Sequence, residues 1–166
     1  MKPILLIGLG NPLMGDDGVG AAVAGHLAAG AGLPDCVEAL PGGTDLLRLA
    51  NQIEGRTHVL VIDALQEVSA EPGSLLEINP ASDAFDDRQP HAHHLSALAA
   101  IRLLRLTTEV PITLLGVAVP SASAGPGLSP ALAARLPDIL NRVLQYLENL
   151  AATAHPCLCS LGELRF

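Results

Sequence analysis

The stretch Ile4-Leu-Leu-Ile-Gly-Leu-Gly-Asn-Pro-Leu-Met-Gly-Asp-Asp-Gly-Val-Gly20 decides how the rest of the chain is read. An apolar strand, expected over 3–9, runs directly into a glycine-rich turn that carries the adjacent carboxylates Asp16 and Asp17. An Ala/Val-rich helix follows over 18–29. A turn of this kind holds backbone and side-chain ligands at one edge of a sheet, where α/β proteins place their chemistry.

Outward from that turn, strand and helix patterns alternate. A short strand over 36–40 ends at Pro41-Gly-Gly-Thr44, after which Thr44 or Asp45 caps a helix reaching about Ile53. The run Thr57-His-Val-Leu-Val-Ile62 is continuous and β-rich, as expected of a strand covered on both faces, and it ends at Asp63. Residues 73–78 read as a fourth strand and 83–90 as a polar loop. Residues 94–106 carry a helical apolar stripe at Leu95, Leu98, Ile101 and Leu104 or Leu106. Ile112-Thr-Leu-Leu-Gly-Val-Ala-Val119 reads as the last strand. Ser129-Pro130 has the form of an N-cap followed by proline at the first helical position, opening a helix to about Ala151. Such alternation predicts an α/β fold: a three-layer sandwich with a twisted, mostly parallel sheet of about five strands and helices on both faces. One domain is expected over 1–151, with a C-terminal tail over 152–166.

Composition narrows the function. The 166 residues fit one domain able to bury a real core. That core must be aliphatic: 49% of the residues are hydrophobic, but the aromatics are only Phe85, Phe166 and Tyr146. A formal charge of −8 without a Lys/Arg patch argues against a nucleic-acid partner. The first apolar run is too short for a signal-peptide core, and 95–106 is interrupted by Arg102 and Arg105, so no membrane insertion is expected. Three cysteines (Cys36, Cys157 and Cys159) without a secretory segment suggest a reduced, cytoplasmic setting.

Three segments bring metal-ligand residue types to one sheet edge: Asp16-Asp17 after the first strand, Asp63 after the third, and His91, His93 and His94 before a later helix. Two carboxylates and an imidazole with open positions suit a divalent transition metal, including one held by another molecule. Each also has a plainer reading. Asp17 before Gly18 is favoured by the free amides at a helix start. Asp63 can cap a turn, the histidines can lie in a solvated loop, and Gly42-Gly43-Thr44 can be a purely conformational turn. Nucleotide sites fit poorly. The dinucleotide glycine spacing is incomplete, Asp16-Asp17 would repel a pyrophosphate, and neither a P-loop nor a Gly-x-Ser-x-Gly elbow is present.

In this arrangement the chain resembles the endopeptidases that mature [NiFe]-hydrogenase large subunits. The resemblance is carried, in order, by Gly8-Leu-Gly-Asn11, Asp16-Asp-Gly-Val-Gly20, Gly42-Gly-Thr44 and Val59-Leu-Val-Ile-Asp-Ala64. It continues through the Leu-rich segment from His93 to Leu104, Glu109-Val-Pro111, Leu114-Leu-Gly-Val117 and Gly127-Leu-Ser-Pro130. It thus spans roughly residues 4–150. It implies a hydrolase that recognises nickel seated in a large-subunit precursor and removes the precursor's C-terminal extension. Asp17, Asp63 and His93 would be the metal-contacting residues, Asp17 and Asp63 the catalytic candidates, and Gly42, Gly43 and Thr44 would line the substrate cleft. His93 follows from counting back from Leu103-Leu-Arg105; His91 and His94 are its close alternatives. Nickel would arrive with the substrate, with no tightly bound cofactor of the enzyme's own. The first acidic position is glutamate in some members of that family and aspartate here, one methylene shorter.

Two other readings compete. Gly8-Leu-Gly-Asn-Pro12 also resembles the opening of peptidyl-tRNA hydrolases, although Leu13-Met-Gly-Asp-Asp17 departs from them and the acidic charge disfavours tRNA. The cleft could also serve a non-catalytic, metal-sensing module. In the tail, His155-Pro-Cys-Leu-Cys159 is an incomplete soft-metal motif, and the tail is expected to be disordered.

Overall fold

The computed structural model describes residues 1–30, 32–66, 69–80, 96–120 and 125–154. Its elements are β1 (Ile4–Leu9), α1 (Val19–Ala29), β2 (Val37–Gly43), α2 (Ala50–Ile53), β3 (His58–Gln66), β4 (Leu75–Ile78), α3 (Ala97–Leu104), β5 (Ile112–Val119) and α4 (Pro130–Ala154). Two single 3-10 turns, Gly15–Gly18 and Leu46–Leu49, lead into α1 and α2. The five strands form one sheet in the order β2-β1-β3-β5-β4. All pairings are parallel except that of β4 with β5.

The apolar runs read as buried strands are buried because both of their faces are covered. All six residues of β1 are buried. Ile4 and Leu6 point to one layer, with Leu60 and Ile62 of β3; Leu5, Ile7 and Leu9 point to the other, with Val59 and Val61. The first layer is closed by Val19, Val23 and Leu27 of α1 and by Leu132, Ile139, Val143 and Leu147 of α4. The second is closed by Leu46, Ile53 and by Leu98, Ile101 and Leu104 of α3. Each such Leu or Ile contributes about 2 kcal/mol by leaving water. With little aromatic volume available, the core depends on many of them.

Layer assignment follows from chain direction. β1 steps to β2 on one side through α1; the chain then returns across β1 to β3 through α2. Right-handed crossovers running in opposite directions must use opposite faces of the sheet. The sheet therefore has a switch point between β1 and β3.

Several boundaries differ from the sequence reading. β2 does not stop at Leu40 but continues through Pro41-Gly42-Gly43, with Pro41 opposite Gly8. It is an edge strand, where a proline without an N–H can face away from the only neighbour. β3 does not end at Ile62 but runs to Gln66, because β5 pairs with it as far as Val119. Its pairing with β1 stops at Ile62 opposite Gly8, so Asp63 is the first residue of β3 beyond its ladder with β1. Ser96 caps α3, accepting from the Ala99 amide at 3.1 Å. Ser129 caps α4 as expected, its Oγ accepting from Leu132 N at 3.3 Å.

At the opposite end of the strands, Arg56 is buried and satisfied. Its Nη1 donates to Lys2 O at 2.6 Å and to Glu38 Oε2 at 2.7 Å, and its Nε donates to Gln52 O at 2.9 Å. The guanidinium holds the Glu38 carboxyl below its ordinary value. Near the start of β5, Tyr146 of α4 hydrogen-bonds Thr113 and Glu77, and burial together with the Glu77 charge raises its phenol.

Candidate functional site

Ligands in open α/β sheets bind beyond the carboxyl ends of the strands, at the switch point. Here that position lies between β1 and β3, and both flanking strands deliver acidic residues to it: the loop after β1 carries Asp16 and Asp17, and β3 carries Asp63.

The glycines explain how the loop comes so close. A Cβ on Gly20, at the start of α1, would overlap the carbonyl oxygens of Ile62 and Leu9; one on Gly8 would lie 2.6 Å from the Ala24 Cβ and overlap the Gly20 carbonyl. The absence of side chains lets the first turn of α1 rest on the end of β1 and on β3 at Ile62. Gly10 has φ +118, and a Cβ there would collide with the Asp17 carbonyl, so the loop folds back over its own beginning.

Within this folded loop, Asn11 N donates to Asp17 Oδ2 at 2.8 Å, Leu13 N donates to Asn11 Oδ1 at 3.0 Å, and Met14 N donates to Asn11 O at 2.9 Å. Asp17 is exposed, whereas Asp16 beside it is only 1% exposed. Asp63 is partly buried and accepts from the Ala64 amide through Oδ1 at 2.9 Å. Burial pushes its carboxyl up to about 7; the Ala64 amide opposes this, and the negative charge of Asp17 adds to it. The two acids thus lie close enough for the charge of Asp17 to act on Asp63.

The Gly42-Gly43-Thr44 turn flanks the loop on its other side. Gly10 N donates to Gly43 O at 2.9 Å. Gly43 has φ +69, and a Cβ on Gly42 would press on Ile7 Cγ2 at 2.6 Å and Leu49 Cδ1 at 2.9 Å. Thr44 is exposed. Asp45, not Thr44, caps the following turn, accepting from Leu47 N at 3.1 Å. The structure therefore brings Asp17, Asp63 and the 42–44 turn to one sheet edge. His91, His93 and His94 lie outside the described residues, as does the His155–Cys159 motif. Among the described residues no group of three or more His, Cys, Asp or Glu side chains is arranged to hold a metal ion. The surface hollows near Glu77 and Thr113 and near His26 and Pro137 lie elsewhere and include neither Asp17 nor Asp63.

Residues 21–146 match the family model for hydrogenase maturation proteases. The chain is 31% identical over 156 residues to the hydrogenase 2 maturation protease of Escherichia coli strain K12, covering 92% of this chain and 95% of the relative.

The chain belongs to the hydrogenase maturation proteases.

The fold agrees. The hydrogenase maturating endopeptidase HybD from E. coli superimposes with a TM-score of 0.70 at 31% identity, over 90% of this chain and 94% of that one. A [NiFe] hydrogenase maturation protease from Thermococcus kodakarensis shares the fold with a TM-score of 0.72 at 21% identity, over 89% and 94% of the two chains. Family membership also decides between the two readings of Gly8-Leu-Gly-Asn11, in favour of maturation protease over peptidyl-tRNA hydrolase. As a maturation protease the chain is a hydrolase acting on peptides. None of the helices of the described residues is long and apolar enough to cross a membrane.

Sequence alone assigns Asp16 no role of its own. In sequence Asp16 is indistinguishable from Asp17. In the fold its Oδ1 accepts from the Ser129 amide at 2.6 Å, which gives it a tertiary partner 113 residues away. The only local signal was a second acid beside the expected ligand, and it does not reveal that partner.

Proposed function

We propose that this maturation protease recognises nickel already seated in the precursor of a [NiFe]-hydrogenase large subunit, and then removes the precursor's C-terminal extension in the cytoplasm. The observation that carries the reading is the opposition of Asp17 and Asp63 across the switch point. A carboxylate whose proton affinity is raised by burial and by the negative charge of a neighbouring acid, as at Asp63, marks a site short of positive charge. A divalent cation presented by another protein supplies it.

In this reading Asp17, Asp63 and His93 are ligands to the precursor's nickel, and the enzyme holds no tightly bound metal of its own. The shared ion is a docking point: it fixes where the precursor's C-terminal segment lies against the 42–44 turn, which converts nickel occupancy into placement of the scissile peptide. Nickel held by these residues would also supply Lewis-acid polarisation of the scissile carbonyl or of a water molecule. Asp63, whose carboxyl titrates near neutral pH, is the better placed of the two acids to exchange a proton during attack. The open sheet edge suits a macromolecular substrate.

Incubating the purified protein with nickel-loaded and nickel-free precursor tests this reading. Shortening of the loaded precursor alone is the expected result; equal cutting of both would sink the metal-recognition mechanism. Asp17→Ala and Asp63→Ala should each abolish processing with the fold retained, because neither side chain fills core volume.

A further inference from the structure

The adjacent acids Asp16 and Asp17 are used in opposite ways. Asp17 turns outward at the site, and Asp16 turns inward, toward a different part of the chain. Its carboxylate meets the backbone amide of Ser129 at 2.6 Å, and Ser129 is the cap of the 25-residue helix α4. The carboxylate therefore stands at the amino-terminal, positive end of that helix, where a negative charge is favoured. Two further attachments lie beside it. Met14 and Gly125 form a parallel bridge, and Gly127 N donates to Pro12 O at 3.0 Å. The acidic loop is thus fastened along positions 12, 14 and 16 to the segment entering α4.

A buried carboxylate is an expensive way to fill space, and a packed apolar side chain would do so more cheaply. What a carboxylate adds is direction. Residues 15–18 form a single 3-10 turn, in which successive side chains leave about 120° apart, since there are three residues per turn. Fixing the Asp16 side chain inward therefore fixes where Asp17 points.

We propose that Asp16 is a positioning residue, whose hydrogen bond to Ser129 locks the acidic loop onto the amino-terminal end of α4 and holds Asp17 in its outward orientation, fixed by its contact with Asn11 N. The inference rests on the reading of Asp17 as a ligand to the precursor's nickel.

The backbone amide of Asn11 reports on the loop independently of activity, because it donates to Asp17 Oδ2 at 2.8 Å. In Asp16→Ala, its hydrogen exchange measured by NMR should accelerate ~10-fold or more relative to the Leu6 amide in the core, the equivalent of losing one hydrogen bond. In the same variant, held well below its melting temperature, kcat on nickel-loaded precursor should fall ~10-fold or more with a smaller change in KM. Asp16→Asn keeps an oxygen acceptor but not the charge. It should show a partial loss of both, about threefold, since uncharged hydrogen bonds are roughly half as strong, and it carries the test if Asp16→Ala does not fold. A variant that melts earlier but keeps Asn11 protection and kcat would reduce Asp16 to a packing residue and overturn the proposal. So would an Asp16→Asn protein unchanged in both readouts. Failure of the wild-type protein to cut nickel-loaded precursor would instead overturn the functional reading, and the Asn11 exchange rate would still decide the role of Asp16.

Discussion

Gly20 lies against the backbone of Ile62 so closely that a single added methyl group would overlap the Ile62 carbonyl oxygen. This contact seats the first turn of α1 on β3 one residue before Asp63. It makes the distance between the acidic loop and Asp63 a property of backbone packing rather than of flexible side chains. Gly20→Ala should accordingly destabilise the protein by roughly 3 kcal/mol, at the upper end of overpacking costs because the obstruction is backbone on both sides. Thermal unfolding should show a fall on the order of 6–12 °C in Tm. Processing should be lost even where the variant is folded, because relief of the clash moves Asp17 away from Asp63.

A pH dependence of stability follows from Asp63. Its folded-state carboxyl titrates near 7, well above the ordinary value of 3.8, so between these values the native state retains a proton that the unfolded chain has released. Stability contributed by that proton is fully present below the unfolded value. It declines as pH rises from about 4 to about 7, by on the order of 1 kcal/mol per pH unit at most, and is flat above that. Chemical denaturation of metal-free protein across this range should show the decline, and Asp63→Asn should flatten it and be the more stable protein at pH 8. An unchanged profile in Asp63→Asn would mean that another group sets it.

The histidine assignment separates cleanly by mutation. His93→Ala should abolish processing of nickel-loaded precursor, whereas His91→Ala and His94→Ala should process it at near wild-type rates. Electrophoretic mobility of the precursor is a sufficient measurement. Loss confined to His91→Ala or His94→Ala would transfer the ligand role to that residue.

Arg56 provides the complementary control, a residue that matters for stability and not for the reaction. Arg56→Met leaves the Lys2 and Gln52 carbonyls without their donor and should cost about 2 kcal/mol. It stands at the end of the sheet opposite Asp17 and Asp63. Cleavage per folded molecule should therefore equal that of the wild type when measured below the lowered Tm.

Much of this was legible in the chain because local pattern and tertiary environment coincide. Val59-Leu-Val-Ile62 has no polar residue on either face, and it lies in a strand covered on both. Ser129-Pro130 announces a helix start by its own chemistry, which the fold retains. Other features depend on partners that local sequence does not name. β3 outlasts Ile62 because β5 continues beside it. β2 tolerates Pro41 because it lies at the sheet edge, a fact of strand order. Asp16 and Asp17 differ in burial only because the segment entering α4 returns to cover one of them. That Asp17 and Asp63 reach one sheet edge was therefore readable from their places after two strands. Which acid faces outward was not, because the buried one has its partner at residue 129, far along the chain.

The nearly all-aliphatic core has a practical side. With no tryptophan and one tyrosine in the sequence, native ultraviolet emission without added label comes chiefly from the single phenol of Tyr146, on the same helix α4 whose first turn anchors Asp16. In the precursor-free protein, a change in that emission reports on the surroundings of α4 near Thr113 and Glu77 alone.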